Sequence, residues 1–289
     1  MINEQLSDEL YVLFRDLLRS RCGLAYPERK RMDLMHGLNM ALHASRLPDL
    51  AALYAEAEAG GAAWEIVLAH LTIGETYFFR NQAQFDVLRE QILPELLERR
   101  AKTRALRVWS AGCATGEEPY SVAMLLGESL PDPESWQVSI LATDLNPQFL
   151  ARARDGLYGS WSFRDTPERL REQFFTPEHN RWRLSAGIRN MVSFARLNLV
   201  EPGYPAILNG TYGQDIILCR NVTIYFEEAT TRQIIDRFYD ALFPGGWLFV
   251  GHAEPQADIY QRFEVHNFPK TILYRKPLDA PFFTELKSG

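Results

Sequence analysis

The chain is poor in the features that define several large protein classes. It has three cysteines in 289 residues, Cys22, Cys113 and Cys219, too few and too widely spaced for a disulfide framework. That points to a reducing compartment, the cytoplasm. No apolar run approaches the length of a membrane span, and MINEQLSDEL has neither the basic nor the apolar region of a signal peptide. The six histidines show no metal-ligand spacing with the cysteines; His36 and His43 share at most a helix face. Positive charge is not in excess, the net charge being −6, which excludes a general nucleic-acid-binding role on overall electrostatics. There is no low-complexity tract, and no G-x-G-x-x-G turn for a dinucleotide.

What is present is the composition of a globular protein, 46% apolar and 24% charged, with enough chain for one large or two modest domains. The stretch Leu106–Leu126, LRVWSAGCATGEEPYSVAMLL, reads as a short apolar strand, a turn of small residues and an amphipathic helix. Gly112 and Gly116 permit a tight turn and close approach to a ligand. Pro119 suits the first helical turn, and Glu117 and Glu118 suit the positive end of the helix dipole. Acidic residues there would repel a pyrophosphate. The unit therefore fits a ligand with a ribose and a cationic centre.

Residues 6–60 read as helices. Leu10, Leu13, Phe14, Leu17 and Leu18 follow helical spacing behind Ser7 as N-cap; Leu34, Met35, Leu38 and Leu42 mark a second helix, and Leu50–Ala57 a third. Ala59–Ala62 loosens the chain before the next. Between Arg15 and Arg31 stand six basic residues (Arg15, Arg19, Arg21, Arg29, Lys30, Arg31) against Asp16 and Glu28. Such a run is either a solvated helix face or a dock for an acidic partner. In GETYFFR, Gly74–Arg80, the aromatics read as packing residues; Thr76 and Arg80, four apart, would share a face if that segment were helical.

From Leu106 onward strands and helices alternate, which predicts a mainly parallel sheet covered on both faces. Strands are expected at Val138–Thr143, Met191–Ala195, Asp215–Cys219 and Trp247–Gly251, with a helix over Glu227–Leu242. Asp144 ends the second strand, where a carboxylate either holds ribose hydroxyls or caps the next helix. Residues 155–190 form a less regular insertion, and Phe263–Asn267 with Thr271–Arg275 make a closing hairpin.

Taken together, these motifs closely resemble the CheR-type chemoreceptor methyltransferase family: SAGCATGEEPYS (Ser110–Ser121), GETYFFR, ATDLNP (Ala142–Pro147), RLNL (Arg196–Leu199), CRNVTIYF (Cys219–Phe226) and GGWLFVGHAE (Gly245–Glu254). They occur in family order over nearly the whole chain. The resemblance implies an α/β fold, a seven-stranded, Rossmann-like S-adenosylmethionine (SAM) methyltransferase sheet spanning residues 73–289. An all-helical N-terminal domain over 1–72 would precede it, and a small subdomain would be inserted at about 156–190. It implies SAM-dependent O-methylation of glutamate side chains on bacterial chemoreceptors, releasing S-adenosylhomocysteine; a non-catalytic SAM-binding scaffold is the alternative. Thr76 and Arg80 would close over the cofactor, with Arg80 on its carboxylate. Gly112, Glu117 and Asp144 would line its pocket, with Asp144 on the ribose. Asn198 and Leu199 would flank the adenine, and Arg220 and Asn221 would sit beside them. Tyr225 would stand near the transferable methyl, with Arg99 or Arg100 holding the acceptor carboxylate. The expected protein is a cytoplasmic monomer, without nucleic acid or membrane insertion, whose basic N-terminal helices meet the helical region of a receptor. One position departs from the family pattern: Gly74 stands where many members have Asn.

Overall fold

The computed structural model describes residues 4–130 and 132–281, so Met1–Asn3 of the expected helical domain and the final eight residues of the expected sheet domain lie outside it. The described chain opens with four helices, α1 (Asp8–Cys22), α2 (Arg31–Ser45), α3 (Leu50–Ala59) and α4 (Gly61–Leu71). Ser7 caps α1 by accepting from Leu10 N, and Gly23 ends it in the left-handed conformation. The AGGA break narrows to Gly60, with α4 starting at the next residue. These helices enclose their own core of Phe14, Leu18, Leu34, Leu38, Leu50 and Leu68, all fully buried.

After an extended segment, α5 (Gln82–Val87) runs through one π turn at Leu88–Ile92 into α6 (Leu93–Arg99). Then come β1 (Ala105–Ala111), α7 (Glu117–Ser129), β2 (Gln137–Asp144) and α8 (Pro147–Asp155). The insertion holds β3 (Leu157–Tyr158), α9 (Glu168–Phe174), β4 (Phe175–Glu178), β5 (Arg181–Leu184) and α10 (Ala186–Asn190). It is therefore more regular than its sequence suggests, a three-stranded antiparallel sheet in the order β3-β5-β4. The chain continues with β6 (Val192–Arg196), β7 (Gln214–Cys219), α11 (Glu228–Ala241), β8 (Leu242–Val250), β9 (Glu264–Phe268) and β10 (Thr271–Arg275).

The main sheet has seven strands in the order β6-β2-β1-β7-β8-β10-β9. β6, β2, β1, β7 and β8 run parallel, and the β9–β10 hairpin closes the sheet antiparallel, as the sequence predicts. β7 is buried at every position, as befits a central parallel strand covered on both faces. One face packs the Leu106–Val108–Ile140 layer under α5–α7 and the insertion; the other packs Trp109, Ile217 and Leu248 under α11. The strand order reverses between β1 and β7, so the carboxyl ends of these two strands diverge into a crevice.

The opposite end of the sheet is sealed by two arginines of α6 and the turn after it. Arg99 donates to the carbonyls of Gly245 and Pro244, both at 2.8 Å, and Arg100 pairs with Asp215 at 2.5 Å. Asp215 also accepts from Arg107 N at 2.9 Å. Burial pushes the Asp215 carboxyl up, opposed by Arg107 N–H and Arg100. Replacing Asp215 by Ala strands two donors at a buried position, and the expected loss is about 2–3 kcal/mol of unfolding free energy in a urea titration, with SAM affinity unchanged.

Candidate functional site

A cleft of about 1130 Å³, counting its open mouth, lies at the carboxyl ends of β1, β2, β6 and β7. Each strand contributes the residues that follow it, and the segment between α4 and α5 closes one side.

The β1 wall is Gly112, Cys113 and Ala114, with Glu118 behind them on the first turn of α7. Gly112 (φ 80°) is required twice over: its backbone is left-handed, and a Cβ would stand 2.4 Å from Val222 Cγ2. Gly112 N and Cys113 N both donate to Thr143 O, at 2.8 and 2.9 Å, which fixes the turn to the end of β2. Burial raises the Cys113 thiol well above its ordinary value, so it is neutral and not a nucleophile.

Asp144 forms the β2 wall. Its Oδ2 accepts from Ala114 N at 2.9 Å and its Oδ1 from Asn146 N at 2.8 Å. The helix cap is the neighbouring Asn146, which accepts from Gln148 N, so capping is not Asp144's task. Burial raises the Asp144 carboxyl and these backbone donors oppose that. A carboxylate has about four lone-pair sites, and capacity not met by backbone is available to hydroxyls in the cleft.

The β6 wall is Leu197, Asn198 and Leu199. The Asn198 amide donates to Arg21 O at 2.6 Å and Glu201 Oε1 at 2.9 Å, tying this wall to α1. The β7 wall is Arg220, Asn221, Val222, Ile224 and Tyr225. The Tyr225 carbonyl accepts from Ala25 N at 2.8 Å, and Lys30 Nζ lies 5.6 Å from the centre of its ring. Burial raises the phenol, Arg80 opposing, so Tyr225 is a protonated donor near neutrality.

Arg220 and Glu118 form an ion pair of 3.2 Å inside the cleft wall, with side chains only 3% and 12% exposed. Ser110 Oγ donates to Glu118 at 2.7 Å, and Arg220 also donates to the Arg80 carbonyl. Burial raises the Glu118 carboxyl and lowers Arg220, each opposed by the other's charge. Arg220 Nε is buried without a partner among the described residues. A buried cationic donor without an acceptor is a place for an anionic ligand group.

Thr76 and Arg80 both line the cleft, but from an extended turn and not from a helix. Arg80 Nη1 donates to Glu75 O at 2.7 Å. The insertion props this turn: Phe78 N donates to Ser162 O at 2.9 Å, and the Phe78 ring packs on Tyr158, Phe163 and Phe175. Gly74 is explained here. A Cβ on it would meet Phe149 Cζ at 2.6 Å, so the α8 aromatic occupies the space that an Asn side chain would need.

Thr76, Arg80, Gly112, Asp144, Asn198, Leu199, Arg220, Asn221 and Tyr225 are thus brought to one cleft, and three expectations are corrected. Glu117 does not line it; it is 3% exposed and turned away, accepting from Thr115 Oγ1 at 2.7 Å and Ser162 Oγ at 2.9 Å. Successive helix residues point about 100° apart, so only one of the two glutamates can face the cleft, and that is Glu118. Arg99 and Arg100 are at the other end of the sheet, with their guanidiniums spent on Gly245, Pro244 and Asp215. The sequence named Glu118 only as half of an acidic pair suited to a cationic ligand, and it gave no sign of Phe149 beyond the unusual Gly74.

The donor set fits a nucleoside bearing both a cation and a carboxylate: Asp144 for paired hydroxyls, Glu118 for positive charge, Arg80 and Arg220 Nε for an anion. Residues 74–272 match the family described as "CheR methyltransferase, SAM binding domain". The chain is 31% identical to chemotaxis protein methyltransferase 2 of Vibrio cholerae, over 94% of each chain. It is 33% identical to chemotaxis protein methyltransferase 1 of Pseudomonas aeruginosa, over 92% of this chain and 97% of the other. It is also 33% identical to the chemotaxis protein methyltransferase of Escherichia coli, over 91% and 90%. A cleft at four strand ends, a donor set suited to SAM, and these matches have one reading: the chain belongs to the CheR methyltransferase family.

Proposed function

We propose that the protein methylates glutamate side chains of chemoreceptors, using SAM and releasing S-adenosylhomocysteine. The observation that carries this is the cleft itself, which joins the Asp144 carboxylate, a buried acidic group and a buried guanidinium nitrogen without a partner among the described residues. The relatives' designation as chemotaxis protein methyltransferases supports the receptor as substrate.

SAM, when bound, supplies an electrophilic methyl carbon on a sulfonium. Asp144 accepts from the ribose hydroxyls with the acceptor capacity that its backbone donors leave. Glu118 faces the cationic end, and Arg80 with Arg220 Nε meets the carboxylate in charge-assisted hydrogen bonds. Leu199 and Leu197 give the adenine an apolar wall. The acceptor glutamate is ionised near pH 7 and needs no general base. It needs in-line placement and partial loss of its water shell. Tyr225 donates to the acceptor carboxylate and excludes water beside it.

The basic N-terminal stretch supplies a docking face for an acidic receptor helix, though part of its charge is spent internally. Arg21 donates to the carbonyls of Ala57 and Glu58, and Arg31 pairs with Asp8 at 2.6 Å. Arg29 and Lys30 have no ion pair among the described residues, and Lys30 lies against the Tyr225 ring. They are the charges most available to a partner.

Incubation with methyl-labelled SAM and the cytoplasmic region of a cognate receptor gives base-labile methyl ester on glutamate, located by mass spectrometry of receptor peptides. Tight SAM binding with no ester on any receptor from the same organism contradicts the reading. Asp144→Ala strands the ribose hydroxyls and weakens SAM binding by about 1–3 kcal/mol in calorimetry, and an unchanged affinity removes Asp144 from the site.

A further inference from the structure

The loop after β7 carries most of the chemistry; Tyr225 N and Phe226 N bond back to Val222 O and Thr223 O, but its first residues are held from outside the loop. Asn221 is left-handed at φ 59°, a conformation uncommon outside glycine and one that Asn tolerates better than most residues. The N–H groups of Asn221, Val222 and Thr223 converge on one point, the kind of backbone nest that binds anions. The anion is the carboxylate of Glu254, four residues beyond β8 and only 2% exposed. Its Oε1 accepts from Val222 N at 2.9 Å, Thr223 N at 2.8 Å and Thr223 Oγ1 at 2.8 Å. Its Oε2 accepts from Asn221 N at 2.8 Å and from Gly251 N. Five donors therefore meet one buried carboxylate, and no basic side chain pairs with it among the described residues. Gly251 makes the approach possible: a Cβ there would stand 2.7 Å from Glu254 Oε2 and 2.9 Å from Asn221 Nδ2.

We infer that Glu254 is a positioning residue of the methyl-transfer site: it touches neither SAM nor acceptor, but its carboxylate fixes the backbone that aims Arg220, Asn221 and Tyr225 into the cleft. The inference rests on the methyltransferase reading of that cleft. Two features separate this from ordinary core packing. The donors on Oε1 and Oε2 are all N–H or O–H groups, so a neutral amide cannot replace the carboxylate; whichever way it turns, its NH₂ faces a donor. The three clamped residues, moreover, are contiguous with Arg220 on one side and lie two residues before Tyr225 on the other. Release of the clamp therefore moves the two side chains assigned to the cofactor carboxylate and the acceptor together.

The test compares Glu254→Gln and Glu254→Asp with Asp215→Ala, a destabilised variant at the far end of the sheet. Calorimetry with S-adenosylhomocysteine and steady-state rates at saturating SAM and receptor are measured for each, beside urea stability. For Glu254→Gln the expected result is affinity weakened by about tenfold or more together with a lower kcat, because a displacement of about 1 Å is costly at a reacting centre. Glu254→Asp keeps the charge and recovers part of both. Asp215→Ala loses stability while affinity and kcat stay at the wild-type level. If Glu254→Gln does not fold, Thr223→Val, which removes one donor, decides: a several-fold loss of affinity supports the clamp, and no change overturns it. Wild-type affinity and kcat in a folded Glu254→Gln reduce the residue to a structural group. If wild-type protein binds S-adenosylhomocysteine but methylates no receptor, the substrate reading fails, while the affinity series still decides the clamp.

Discussion

The site depends on a buried ion pair. Glu118 opens α7, Arg220 ends β7, and Arg220 also donates to the carbonyl of Arg80. One interaction thus joins three segments far apart in sequence: the first strand–helix turn, the fourth parallel strand of the sheet, and the turn that covers the cleft. Taking both charges out of water costs several kcal/mol per ion, and the pair alone does not repay this. Ser110 satisfies part of Glu118, but the Nε of Arg220 is left over. A fold designed only for stability would fill that space with apolar side chains. On the proposed function, a ligand carboxylate completes that donor.

The rest of the molecule holds the parts of that pair in register. Gly112 lets the β1 turn approach Val222, Asp144 ties the same turn to β2 through Ala114, and the insertion grips the Gly74–Arg80 turn through Phe78 and Ser162. The helical N-terminal region is joined as well, through Asn198 to Arg21 O and Ala25 N to the Tyr225 carbonyl. The basic stretch of that region is thereby fixed, by two backbone groups, to the β6 and β7 walls of the cleft.

Much of this was legible in the sequence. The strands from Ala105 to Val250 follow apolar runs bounded by turn residues, Ser7 caps the first helix, and the closing hairpin lies within a residue of its expected place. These are local signals, set by periodicity and by single turn residues. What failed was non-local. The choice between Glu117 and Glu118 depends on helix phase against Arg220, a hundred residues on. Arg99 and Arg100 carry charge of the right sign, but α6 directs them to the amino ends of β7 and β8. Thr76 and Arg80 share the cleft without sharing a helix face, because buried aromatics anchor an irregular turn. Composition gave no sign that the insertion forms a small sheet, since its strands are two to four residues long.

On the proposed function, SAM lies in this cleft against Glu118, with Glu117 directed away from it. Titration of S-adenosylhomocysteine into Glu118→Gln and Glu117→Gln tests it most directly. The expected result is a loss of about tenfold or more for Glu118→Gln, which leaves Arg220 buried without its counter-charge, and a much smaller change for Glu117→Gln, whose amide oxygen can still accept from Thr115 or Ser162. A large loss for Glu117→Gln beside wild-type affinity in Glu118→Gln would contradict it.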